Sequence, residues 1–448
     1  MNTSSRFILL SSLCLSPWAW GQPFSFMQAQ EHLFTVSDAL HSAQSQVSQK
    51  EQQELASHSL SYPDIALDVK EMRFSKTVDL SPINGTMGLL HPGAPMPEQE
   101  QVVDWRTRPI VTATLPLWTG GKIQAGKAAA KAAVTQAQAS QARTEQTEIT
   151  QLVQAYFGQL FTQEVLTVRQ DVRDGLAEHL DRAIKLEAKG FATKAQRLQA
   201  QVAVDNAERE LRKAKNDLAG AQAALMGLLR QPQVVEPSSK LFMHSQPLPE
   251  VAQFLESLGE HPSLKQIEAL KAQADEQVRA QKADFMPQFY AFGQYDLKKE
   301  DALLTESDWA FGVGMKLSLL SNHNRYRQVK AAQSQGESAQ YSLQDAQVKL
   351  SIAVQQAWFA ADSAQQQFAL LESALESAQE NLRLQDLSFQ AGRATSLDVI
   401  DARLQLGKVR IERAQAAWQF DLALAQLLDV SGQSHNFVTY LQQADKVL

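Results

Sequence analysis

The chain repeats itself at one fixed distance along its sequence. Residues 190–193 (Gly-Phe-Ala-Thr) are matched by residues 392–395 (Gly-Arg-Ala-Thr), a shift of 202 residues. The same shift carries Ala-Tyr-Phe at 155–157 onto Ala-Trp-Phe at 357–359, and it needs no gap from about residue 118 to 430. A single ungapped shift of this length predicts two copies of one structural unit.

Each copy contains a helix far longer than a compact domain requires. From Lys122 to Lys189 about 68 residues are interrupted only by Gly126, Gly158 and Gly175, and a helix of that length would reach roughly 100 Å. The stretches rich in Ala, Gln, Leu, Glu and Lys have the composition of long helices. One apolar stripe at i, i+4 spacing comprises Val168, Val172, Leu176 and Leu180.

Four segments alternate apolar and polar residues with the period of a β-strand. They lie at about 62–73, 104–118, 285–297 and 308–320, and each is about as long as a membrane-spanning strand. A sheet packed on the helices of a water-soluble protein is the alternative. Four strands cannot close a barrel, and an open edge cannot lie in lipid, so a membrane location would require several chains to share one barrel. Three copies would supply twelve strands.

The amino-terminal residues have the order of a secretory signal peptide. Arg6 precedes an apolar run from Phe7 to Leu15, and Ala19-Trp20-Gly21 supplies small residues, so we expect a signal peptide over 1–21. Cys14, the one cysteine of the chain, lies within it. Lipidation is the less favoured alternative because Leu13 is bulky where a lipoprotein signal needs a small residue.

Charge and motifs argue against several functions. A net charge of −7 and a pI near 5.8 exclude a nucleic-acid partner. Residues 121–128 nearly fit a phosphate-binding loop, but Ala128 stands where a metal-binding Ser or Thr is needed. The nine His are scattered, without metal-site spacing. We therefore expect no enzyme, with no catalytic residue, no cofactor and no metal site.

The predicted organisation places helices, strands and a long helical hairpin in each copy. The first repeat covers 22–230 with its hairpin at 122–230, and the second covers 251–430 with its hairpin at 324–430. Residues 231–250 contain four prolines and are predicted to form a linker on the surface. Residues 431–448 form a carboxyl-terminal tail.

The order of these features resembles the TolC-like outer membrane efflux protein family. The resemblance rests on the signal peptide, the duplicated strand pair and hairpin, residues 115–121 (Leu-Pro-Leu-Trp-Thr-Gly-Gly) leading into a helix, and residues 392–402. It implies a mainly α-helical homotrimer, with a twelve-stranded β-barrel in the outer membrane of a Gram-negative bacterium continuous with a twelve-helix α-barrel in the periplasm. It also implies two partners, a periplasmic adaptor protein and an inner-membrane transporter.

The resemblance assigns roles to particular residues. Asp398 and Asp401 match two acidic positions that line the periplasmic constriction, although interaction with the helix N-terminus is a simpler role for them. We expect these like charges to raise one another's pKa. Gln196 and Phe389 replace a carboxylate and a tyrosine that hold the closed tunnel in the family. The remaining candidates are the adaptor-contact turns Gly190, Phe191, Ala192, Thr193, Gly392, Arg393, Ala394 and Thr395, and the strand-to-helix turns Gly120, Gly121, Asn322 and His323.

The sequence therefore predicts a passive outer-membrane exit duct of a tripartite efflux or type I secretion system, opened by its partners. The competing prediction is a soluble periplasmic coiled-coil scaffold or adaptor protein. The sequence carries no pattern that specifies the cargo.

Overall fold

The computed structural model describes residues 23–79, 99–298, 307–319 and 324–448. The predicted signal peptide and the turn residues Asn322 and His323 lie outside the described residues. The larger elements are α1 (Phe26–Val36), α2 (Asp38–His58), β1 (Asp64–Asp79), β2 (Gln99–Trp118), α3 (Lys122–Ala188), α4 (Lys194–Leu228), β3 (Phe242–Met243), α5 (Val251–Glu256), α6 (Pro262–Ala283), β4 (Gln288–Asp296), β5 (Trp309–Lys316), α7 (Arg325–Gln390), α8 (Ser396–Val430), α9 (Phe437–Gln442) and β6 (Lys446–Val447).

Helix dominates the described chain, and two helices are unusually long. α3 has 67 residues and α7 has 66, whereas α4 and α8 have 35 each. None of the helices in the described ranges is both long and apolar enough to cross a membrane. The described residues divide into two compact units, one containing residues 23–46, 138–266 and 343–448 and the other containing residues 47–79, 99–137, 267–298, 307–319 and 324–342.

The first unit has a core of aromatic rings. Phe26, Tyr156, Phe157 and Phe437 are at most 1% exposed, and their ring centroids lie 5.1–5.7 Å apart. The buried Tyr156 hydroxyl donates to the carbonyl of Phe24 at 2.7 Å and accepts from the N–H of Ser239 at 3.0 Å. Both ends of this amphipathic ring are thereby satisfied, as a buried tyrosine requires.

The Pro-containing segment 231–250 contributes to this core, so the prediction that it lies on the surface was wrong for most of its apolar residues, although Val234 is exposed. Its prolines prevent a helix, but apolar side chains between them still gain free energy by leaving water. The Nε1–H of Trp358 also donates to the carbonyl of Pro249 at 2.8 Å. The buried side chains of the segment are Val235, Leu241, Phe242, Met243 and Leu248.

The second unit contains a four-stranded antiparallel sheet in the order β1-β2-β4-β5. β1 ends at Asp79, beyond the segment predicted at 62–73, and β2 begins at Gln99, before the segment predicted at 104–118. β4 and β5 are shorter than the segments predicted at 285–297 and 308–320. Directly paired residues share one face of a sheet. One such row runs across all four strands through Leu67, Val111, Tyr295 and Trp309.

The opposite face of β5 is nearly bare, because its alternate residues include Gly312 and Gly314. Rings from the paired positions of β4 cover them: a Cβ on Gly314 would lie 2.5 Å from Cζ of Tyr290, and one on Gly312 would lie 3.2 Å from Cζ of Phe292. The two glycines are therefore required for close approach of these rings to the strand.

Candidate functional site at the turns of the helical hairpins

The two hairpins end in the same backbone turn. Gly190 and Gly392 have φ values of +77° and +69°, a conformation that residues with a Cβ rarely adopt. In the first turn the N–H of Phe191 donates to the carbonyl of Leu186 at 2.9 Å, and in the second the N–H of Arg393 donates to the carbonyl of Ser388 at 2.8 Å. This pattern closes the end of α3 and of α7 as a Schellman motif.

The helix that follows each turn begins with a capping box. Thr193 Oγ1 accepts from the N–H of Gln196 at 3.3 Å, and Gln196 Oε1 accepts from the N–H of Thr193 at 2.8 Å. In the second turn Thr395 and Asp398 make the same pair of bonds at 3.3 and 2.6 Å. Both turns are thus built to start a helix, with an amide in the first and a carboxylate in the second.

The capping box lowers the pKa of Asp398 within one chain. The backbone N–H and then the hydroxyl of Thr395 hold the pKa of this carboxyl below its usual 3.8, since both donate to its charged form. The direction is opposite to the rise expected from like charges. Asp398 and Asp401 are both exposed on the chain.

The other predicted site residues of the hairpins differ in their exposure to solvent. Phe191 is 80% exposed at the first turn, and Gly190, Gly392 and Arg393 are exposed as well. Phe389, by contrast, is 7% exposed, and its ring lies 4.8 Å from the ring of His179 on α3. Phe389 therefore packs between the two hairpins of the chain, whereas half-buried Gln196 serves as a helix cap.

Sequence reasoning missed His179 and Ser396, both of which are buried near the second turn. The apolar stripe of α3 was extended from Leu176 to Leu180 by i, i+4 spacing, but the buried positions after Leu176 are His179 and Ala183. His179 lies three residues after Leu176 and four residues before Ala183, so its spacing continues the buried stripe. A polar residue at such a position is the signal that could have identified this histidine.

The strand-to-helix turn between β2 and α3 depends on two glycines with positive φ, +65° at Gly120 and +91° at Gly121. A Cβ on Gly120 would lie 2.7 Å from Cβ of Met286. Lys122 Nζ contacts Asp284 Oδ1 at 2.7 Å, and Arg325 Nη1 donates to the carbonyl of Asp284 at 2.6 Å. The first residues of α3 and α7 are thus both tied to Asp284.

Comparison with known proteins agrees with this architecture. The family model described as outer membrane efflux protein matches residues 255–433. The outer membrane efflux protein BepC of Brucella suis is 23% identical over 336 residues, which cover 74% of this chain and 73% of BepC.

Solved structures of outer membrane channels share the fold. The outer membrane protein VceC of Vibrio cholerae superposes with a TM-score of 0.75 at 16% identity, over 91% of this chain and 96% of VceC. The open state of the MtrE outer membrane channel of Neisseria gonorrhoeae gives 0.74 at 18% identity, over 91% of this chain and 89% of MtrE. The fold is therefore that of the outer membrane channels. Together with the sequence matches, this confirms the resemblance of the chain to TolC-like outer membrane efflux proteins.

Proposed function

We propose that three copies of this chain form an outer-membrane exit duct of a tripartite efflux or type I secretion system. In this arrangement an inner-membrane transporter supplies the energy, a periplasmic adaptor protein connects it to the duct, and the duct itself is a passive conduit. The alternative of a soluble periplasmic scaffold is not favoured by the relatives, which are outer membrane efflux proteins and channels.

The four-stranded sheet is the observation that carries the proposal. In the described chain β1 pairs only with β2 and β5 only with β4, so each end of the sheet presents a free edge. One face carries large exposed apolar side chains, among them Leu67 (60%), Trp309 (56%) and Phe311 (77%). An apolar face requires lipid or protein, and free edges in lipid require further strands. A twelve-stranded barrel from three chains meets both requirements.

The four helices α3, α4, α7 and α8 would supply twelve helices from the same three chains. α4 buries a single stripe with coiled-coil spacing, in which Leu211, Ala214 and Leu218 follow one another at intervals of three and four residues. Long helices packed through narrow stripes leave their other faces for neighbouring chains or water. This is the arrangement that a helical tunnel needs.

The turns of the hairpins would form the periplasmic end of the tunnel. Exposed residues at these turns, led by Phe191, are then the contacts for the tip of the adaptor. Asp398 and Asp401 would form a ring of six carboxylates around the axis, which attracts cations and repels anions. In the assembled ring, proximity of the three chains would oppose the lowering of the Asp398 pKa seen within one chain.

The proposal is tested with membranes of cells that express the full chain. We expect the protein to resist carbonate extraction, to migrate as a trimer in detergent, and to give single-channel conductance in planar lipid bilayers. A monomer that is released by carbonate and gives no conductance would contradict the proposal.

The constriction is tested separately with the double variant Asp398→Asn, Asp401→Asn in the same bilayers. Removal of the ring is expected to lower cation selectivity and the block by divalent cations severalfold. Gln196→Glu, which places a new carboxylate at the equivalent position of the other hairpin, provides a matched variant of opposite sign. Unchanged selectivity in a trimer that conducts would show that the constriction lies elsewhere.

A further inference from the structure

A buried cluster joins the two hairpins of one chain close to their turns. His179 of α3 is 1% exposed, and Ser396, the first residue of α8, is 0% exposed. His179 Nε2 and Ser396 Oγ lie 2.6 Å apart, and Phe389 covers the imidazole with ring centroids 4.8 Å apart. The first turn of α8 is therefore tied to a helix of the other hairpin.

Charged groups from three helices surround the imidazole. Asp386 of α7 contacts Arg182 of α3 at 3.3 Å and Arg403 of α8 at 3.8 Å. Arg182 also contacts Glu178 at 2.8 Å. The carboxylate that faces the cluster, Asp386, is thus already shared between two guanidinium groups.

The guanidinium of Arg403 lies against a glycine in the last third of α3. A Cβ on Gly175 would lie 1.7 Å from Nη1 of Arg403. Gly175 and His179 are one turn apart and lie on the same face of α3. The space left by the glycine therefore brings the Arg403 guanidinium to the helix face that carries the imidazole.

The imidazole is held in its neutral form. Its Nδ1 atom is buried and has no hydrogen-bond partner within the described residues. Burial lowers the pKa of His179 below its usual 6.5, Arg182 and Arg403 lower it further, and Asp386 opposes them. A proton on Nδ1 would therefore have neither water nor an uncommitted acceptor while the cluster remains packed.

We propose that His179 is a positioning residue of the gate: through Ser396 and Phe389 it holds the first turn of α8, and with it Asp398 and Asp401, and protonation of the imidazole releases this hold. The proposal rests on the proposed function, because it assumes that these carboxylates line the constriction. It adds a site of control within the chain, separate from the contact with the adaptor.

The direction of the pH effect follows from the difference between the packed and the released state. In the released state the imidazole meets water and recovers a pKa near 6.5. Since the pKa is lower in the packed state, the hold is complete above pH 6.5 and weakens as the pH falls through that value. Acidification therefore shifts the population towards the released state.

The test is the open probability of the full-length channel in planar bilayers at pH 7.5 and pH 5.5. We expect acidification to raise it by up to about tenfold, because a group with a pKa of 6.5 is protonated about ten to one at pH 5.5. His179→Gln can keep one hydrogen bond to Ser396 but cannot gain a proton, so it should remove this rise. Ser396→Ala should raise the open probability already at pH 7.5.

His435→Gln is the matched control, because His435 is exposed on the same unit and its replacement should leave the response to pH intact. The His179→Gln channel itself separates His179 from the carboxylates of the constriction, because it retains both Asp398 and Asp401. An equal response to acid in the His179→Gln channel would overturn the proposal.

A second measurement does not depend on conductance. The chain has no cysteine beyond Cys14, so spin labels can be placed at exposed Lys185 and Leu397, diluted into unlabelled chains. The distance between α3 and α8 should change between pH 7.5 and 5.5, and His179→Gln should suppress the change. A chain that never conducts but shows this shift would contradict the proposed function alone, whereas an unchanged distance would contradict the role of His179.

Discussion

The two hairpin turns have the same backbone conformation but differ in the side chains that surround them. Both use a glycine with positive φ and a capping box started by threonine. The first turn is closed within its own hairpin by a contact of 2.6 Å between Arg197 and Glu187. At the second turn Asp386 contacts Arg403 of its own hairpin at 3.8 Å and also Arg182 of the first hairpin at 3.3 Å. A repeated sequence thus preserves the turn, while a few side chains decide whether a hairpin also binds its neighbour.

The helices that follow the turns extend this contrast. α4 buries one stripe of residues, whereas α8 is buried over most of its surface from Ala414 to Asp429, where Gln415, Gln419 and Gln426 are the exposed residues. The two helices have equal length and follow equivalent turns. Substitutions of the same type in each helix therefore separate the effect of helix propensity on stability from the effect of packing.

The largest expected difference in stability is between the variants Gly407→Ala in α8 and Gly220→Ala in α4. A Cβ on Gly407 would lie 2.5 Å from Cγ2 of Val172, whereas nothing lies within 4 Å of one on Gly220. We expect Gly407→Ala to lower the free energy of unfolding by about 1–3 kcal/mol through overpacking. Gly220→Ala should raise it by about 0.5–1 kcal/mol through helix propensity. Thermal unfolding measures both, and equal signs would show that α8 is no more tightly packed than α4.

The next effect concerns Asp421, a carboxyl group in the buried part of α8 that has Ala219 as its counterpart in α4. Asp421 is 0% exposed, and neither oxygen has a partner at normal hydrogen-bond geometry within the described chain. Burial raises its pKa well above the usual 3.8, and the nearby backbone N–H of Phe242 opposes this rise. Its contribution to stability is complete below pH 3.8 and is lost as the pH rises through the raised pKa.

Asp421→Asn should therefore stabilise the chain, by about 1 kcal/mol or more at pH 8 and by less at pH 5. Unfolding midpoints at the two pH values, with wild type measured in parallel, provide the check. A variant that is equally stabilised or destabilised at both values would mean that Asp421 does not ionise on unfolding.

The caps should give smaller and nearly equal effects in the two hairpins. Thr193→Ala and Thr395→Ala each remove a side-chain acceptor from the start of a helix, which costs about 1 kcal/mol. The second loss should diminish at low pH, because the pKa of Asp398 is lowered in the fold and its contribution disappears as the pH falls through that lowered value. The loss at Thr193, which pairs with an amide, should stay constant.

The smallest effect is expected for Arg197→Ala at the first turn. Arg197 and Glu187 are about 28% and 29% exposed, so their ion pair contributes about 0.2–1 kcal/mol and less at high salt. Urea unfolding at low and high ionic strength would measure it. A loss above that of Thr193→Ala would indicate that this pair, rather than the cap, maintains the first turn.

The turns and strands could be predicted because they follow local rules. Gly followed by Thr three residues later specifies the end of one helix and the start of the next, and alternation at Trp309 and Phe311 specifies a strand face. The spacing of the apolar stripe could have indicated that His179 is buried, but the contacts that Phe389 and His179 make could not be predicted in this way. These contacts depend on which helix of the other hairpin lies opposite, and the period of a single helix does not contain that information.

The segment 231–250 shows the same limit. Its prolines correctly exclude a helix, but they do not determine whether Phe242 faces water or the core. For Asp398, by contrast, local position predicted the contact correctly. Its carboxylate caps the start of α8 within the chain, while its place in a pore stays a prediction.

The rings of Tyr290 and Phe292 have a consequence for the width of any passage bounded by their side of the sheet. Because Gly314 and Gly312 let the rings lie down on the neighbouring strand, two bulky residues project little from the wall. The same rings shield a strip of bare backbone from solvent. Larger residues at the two glycines would collide with the rings and push them away from β5, towards any passage on this side of the sheet.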